Sequence, residues 1–187
     1  MEEEIRLIIQ NLGISIGANL LYDIGKKIVK LLPHQESNLT KWIQYWQPKD
    51  EDLDVIKNND SIKRVVSILF EKAENEIFEE KLSTWGKITD SVIRNIKPDI
   101  SYDLYFIKVF SDMPLSVIYY LLNIYKTGEA EAISGYPVND NKKQEDYFCS
   151  NYCTCLSLTE CFSGKHKLTE FGKQFINFIG NSFQSIK

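Results

Sequence analysis

Histidine is almost absent: the 187 residues carry two, His34 and His166. So few imidazoles remove the usual base or ligand of most hydrolytic and metal centres. There is no Gly-rich phosphate loop and no strand-borne nucleophile elbow. Gly (nine) and Pro (five) are sparse, and no low-complexity tract occurs, which excludes a disordered chain. No apolar run reaches the ~20 residues of a membrane span. The first residues, Glu2, Glu3 and Glu4, are acidic, unlike a secretory leader. These absences predict a cytoplasmic, non-enzymatic protein with no cofactor and reduced thiols.

What is present is helical periodicity. In residues 5–32, Ile5, Ile9, Leu12, Ile16, Leu20, Ile24 and Ile28 step by three and four. Gly13, Gly17 and Gly25 lie at multiples of four beside Leu21, a small-residue ridge that lets another helix approach closely. This predicts a partner for the helix: a second copy, another protein, or the body of the chain. A lipid surface is the alternative, with Lys26, Lys27 and Lys30 just beyond the uncharged run. Gln10, Asn11, Ser15 and Asn19 count against lipid.

Pro33 and His34 end this helix. Trp42, Tyr45 and Trp46 mark the next as a packing element. Residues 48–54 are acidic and suggest a linker, dividing a helical region 1–49 from a body 55–187. A cap at Asp60 or Ser61 opens a long helix buried through Ile62, Val65, Val66, Leu69, Phe70, Ala73, Ile77 and Phe78. Glu71, Glu74, Glu76, Glu79 and Glu80 alternate with lysines as a solvated face. A further helix is expected from near Ser83. Helices over 101–110, 114–127 and 143–158 follow, with Pro114 in a first turn and Gly128 as a stop. Residues 129–143 form a loop.

The carboxy-terminal stretch predicts a helix, a tight corner at Ser163-Gly164-Lys165, a short strand and a closing helix capped by Thr169. That order is the second half of a winged helix-turn-helix. The fold class expected is therefore all-α, a helical bundle with a carboxy-terminal winged-helix-like unit. At most it has a small β-hairpin, with strands confined to 161–168.

Cys149, Cys153, Cys155 and Cys161 space as C-x3-C-x-C-x5-C. No paired C-x2-C knuckle is present, so buried free thiols are expected rather than zinc. Lys165, His166, Lys167 and Lys173 surround the corner and are the candidate nucleic-acid contacts. Against a DNA-binding regulator stand the net charge of −4 and the acids Glu145 and Asp146 at the start of the would-be recognition helix.

Three stretches together resemble one bacterial family. ENEIFEEKLSTWGKITDSV (residues 74–92), the helices of residues 97–122 and KHKLTEFGKQFINFI (residues 165–179) are similar to segments of abortive-infection alpha type proteins. Residues 17–32 look like amino-terminal helices of bacterial phage-defence proteins. The cysteine-rich helix departs from the family pattern. The resemblance implies a role in limiting phage infection and carries over no catalytic residue.

Overall fold

The computed structural model describes residues 38–183 except 98, 134 and 138. Gly13, Gly17, Leu21, Gly25 and His34 lie outside the described residues. The described chain divides after Leu104 into two compact units. Among the described residues it is mainly α, with eight helices and one small sheet.

The first unit grows from an aromatic helix, α1 (Asn38–Trp46). Leu39, Trp42, Ile43 and Trp46 recur at the spacing of one helical face, and all four are buried. They pack on α4 (Glu79–Arg94), whose Leu82, Trp85, Ile88 and Val92 are buried in turn. Trp42 lies 5.1 Å from Trp46 with the rings tilted by 42°, and meets Phe70 edge-on at 5.8 Å. Its indole Nε1 donates to Thr89 Oγ1 at 3.2 Å, and that hydroxyl donates to Trp85 O at 2.8 Å. A buried indole thus finds its acceptor without leaving the core.

The acidic segment expected as a linker is helix from Asp50: α2 runs Asp50–Asn58. The Asp52 carboxylate accepts from Lys49 N at 2.8 Å, so the acids sit at a helix N-terminus, where exposed N–H groups favour negative charge. Ile56 anchors α2 in the core. Helix α3 (Asp60–Glu74) is capped by Asn59, one residue before the expected cap, with Asn59 Oδ1 accepting from Ile62 N at 3.1 Å. Ile77 and Phe78 fall outside α3 and are exposed, because the helix ends at Glu74.

Helix α5 (Ser101–Asp112) leads into the second unit. Phe106 lies 5.1, 5.5 and 5.4 Å from the rings of Phe171, Phe175 and Phe178 on α8 (Glu170–Phe183). Pro114 stands at the N-cap of α6 (Leu115–Thr127), just outside its expected first-turn place. Gly128 closes α6 in the left-handed region at φ 88°.

Strand β1 (Ala130–Glu131) follows, then α7 (Asn141–Cys155), capped by Asp140. Strands β2 (Thr159–Phe162) and β3 (Lys165–Leu168) form a hairpin. Its two loop residues, Ser163 and Gly164, both have positive φ, 51° and 74°, as a two-residue primed turn requires. The antiparallel sheet has order β1-β3-β2. Strands therefore reach beyond 161–168, and the hairpin gains a third strand. Two-residue β1 has no alternation for a sequence pattern to show.

Candidate interaction surface on the carboxy-terminal unit

The four expected nucleic-acid contacts occupy the β3 strand and the start of α8, and they do not form a free cationic patch. Lys165 and Lys167, two residues apart, share one face of β3. Both meet Glu129: Lys165 Nζ pairs with Oε1, and Lys167 Nζ lies 3.8 Å from Oε2. Across the sheet, Glu131 registers with Lys165 and Glu160 with Lys167. Lys165 holds the Glu129 carboxyl below its ordinary range, and Glu129 raises Lys165 in return. Lys173 pairs with Glu170 at 3.3 Å, one turn away.

His166 points the other way. Only 7% exposed, it registers with Ala130 and Cys161, and its Nδ1 has no hydrogen-bond partner. Burial lowers its pKa, so the neutral imidazole is favoured in the fold. The unfolded chain then binds the extra proton, and stability falls as pH drops below the ordinary value of about 6.5. Carboxylates such as Glu129 titrate in a lower window. We expect melting of the second unit to weaken between pH 7 and pH 5.5, and His166→Phe to flatten that slope, followed by circular dichroism. An unchanged slope in the variant would refute the assignment.

The thiols divide by burial. Cys149 and Cys153 lie one turn apart on the inner face of α7, and burial raises both, Cys153 to about 12. They are inert small apolar groups at neutral pH. Cys155 and Cys161 are exposed. Among the described residues no group of three or more His, Cys, Asp or Glu is placed to hold a metal ion.

Facing α7 from α6, the Tyr120 hydroxyl is buried with no partner. Ser150 is near it but donates to Tyr147 O at 2.9 Å. Burial raises the Tyr120 pKa strongly. An unsatisfied buried hydroxyl costs about 1–3 kcal/mol. Tyr120→Phe should therefore keep or raise stability, by up to about 1 kcal/mol in a denaturant titration. A loss of that size would show that the hydroxyl has a partner in solution.

The outer side of α7 is different in kind. Residues 147–158 contain no Asp, Glu, Lys or Arg. Phe148 is half-exposed and contacts Tyr152 at 5.9 Å. Tyr136, also exposed, meets Tyr147 edge-on at 5.7 Å. Phe162, at the end of β2, is 69% exposed. Aromatic groups held by ring contacts but open to solvent are the composition of protein-docking surfaces. The sequence pattern did not single out Phe148, Tyr136 or Phe162, because exposed and buried aromatics look alike in a sequence.

Among the described residues no single helix is long and apolar enough to cross a membrane. Compared with known protein families, characterised proteins and solved structures, the chain matches none of them.

Proposed function

We propose that this chain is a cytoplasmic, non-enzymatic protein-interaction module that serves bacterial phage defence. The observation that carries the interaction reading is the contrast on the second unit. Lys165 and Lys167 share the Glu129 carboxylate and Lys173 pairs with Glu170, while Phe148 and Tyr136 stand open on and beside an uncharged helix segment. A phosphate backbone needs unpaired cations, whereas a protein partner needs aromatic anchors. The winged-helix-like reading rests on the order α7, β2, β3, α8, with a single helix, α7, between β1 and the hairpin. The defence role rests on the resemblance of residues 74–122 and 165–179.

The test is phage plating on cells expressing the chain. Protection is expected from the parent, and its loss from Phe148→Glu, a solvent-facing change that leaves the fold intact by circular dichroism. The DNA-binding alternative is decided by a mobility-shift titration at two salt concentrations. Tight, sequence-selective binding at physiological salt that weakens on replacing Lys165 and Lys167 would displace the interaction reading. The membrane alternative belongs to residues 5–32, and liposome flotation of the full chain decides it.

A further inference from the structure

A fixed corner of the first unit presents apolar side chains to solvent exactly where the undescribed amino-terminal residues join it. Between α3 and α4 the Glu76 carboxylate holds the turn. Its Oε1 accepts from Ile77 N at 3.0 Å and Phe78 N at 3.2 Å, and its Oε2 accepts from Trp85 Nε1 at 3.0 Å. The corner is thereby tied to a fully buried indole. Yet Ile77 is 83% exposed, and Phe78 39%. Tyr45 extends the patch from α1, its hydroxyl donating to Glu79 at 2.6 Å. Charged solvent-facing residues would suit a rigid turn of this kind at no cost to the core.

The chain enters at this same corner. Asn38 Nδ2 donates to Glu76 O at 2.6 Å and Glu74 O at 3.3 Å. Asn38, the residue that the preceding 37 lead into, is therefore held beside Ile77. Leu32, the last apolar residue of the periodic run, is six residues upstream of Asn38. Six residues span at most about 20 Å, so Leu32 and Ile28 are within reach of the patch. Tethering at this distance gives an effective concentration in the millimolar range, above that of any second molecule in solution.

We infer that the Ile77–Phe78 corner is the docking site for the carboxy-terminal end of the apolar run in residues 5–32 of the same chain. The segment covers Ile77 and Phe78, and the corner buries part of an apolar face too large to stand alone. This inference is independent of the α7 surface and of its partner.

Hydrogen exchange of the full chain, read by mass spectrometry at several protein concentrations, tests it. The parent should protect amides within residues 20–32, equally at all concentrations. The double variant Ile77→Asp, Phe78→Ser should speed their exchange at least tenfold. Ile77 faces solvent and Phe78 is part-exposed, so the variant should keep the protection of α3 and α4, which verifies its fold. Absence of protection in the parent overturns the proposal, as does equal protection in the variant. Protection that grows with concentration also overturns it, assigning the segment to a second copy.

Discussion

Gly172→Ala should unfold the second unit or cost about 3 kcal/mol or more, since overpacking against rigid atoms has no cheap relief. A Cβ at Gly172 would stand 1.9 Å from Leu158 O and 2.9 Å from Leu158 C, both backbone atoms. Leu158 cannot retreat easily. Its carbonyl accepts from Thr169 N at 3.1 Å, and its N–H donates to Cys153 O at 2.9 Å. Thr169 meanwhile caps α8, its Oγ1 accepting from Gly172 N at 2.9 Å and donating to Ser157 O at 2.6 Å. One methyl group thus pushes on the junction of α7, the sheet and α8 together. Denaturant unfolding of the variant checks it, with Thr169→Ala as a milder companion at about 1 kcal/mol for a lost cap. A Gly172→Ala protein as stable as the parent would mean that α8 does not lie on Leu158 in solution.

Gly86→Ala is the second large effect, in the other unit. The added Cβ would lie 2.5 Å from Tyr45 Cβ and 2.9 Å from Trp46 N and Tyr45 C. None of these is the free end of a flexible side chain, so α1 must shift bodily away from α4. The Trp42–Thr89 hydrogen bond between the two helices depends on that approach. The expected loss is about 1–3 kcal/mol, with a red-shifted tryptophan emission as the buried indoles gain water. Gly86→Ser should be worse, and Lys87→Ala, at a neighbouring half-buried site, is the control for handling and helix propensity. Unchanged stability and emission in Gly86→Ala would refute the close α1–α4 contact.

Both glycines were visible in the sequence, and neither showed its reason there. Leu168-Thr169-Glu170-Phe171-Gly172 announces a helix start through the threonine alone. That the glycine admits a carbonyl from fourteen residues earlier requires the fold. Gly86, within an apolar helix pattern, gave no local signal at all.

Helices whose buried face repeats every three or four residues were legible in the sequence, because that repeat is local. The sequence by itself determined the turn at Ser163-Gly164, the stop at Gly128 and the cap at Thr169, each a property of a few adjacent residues. That acidic residues 50–58 form a helix was not legible, since their charge hides the buried anchor Ile56. Nor was it legible that Lys165 meets Glu129, or that His166 turns inward while its neighbours turn out. Those facts depend on strand register and on a partner 36 residues away. A shift of one residue in that register would exchange the buried and solvent faces of β3. Only the tertiary structure decides which face is which, and with it whether these lysines are free to bind an anion.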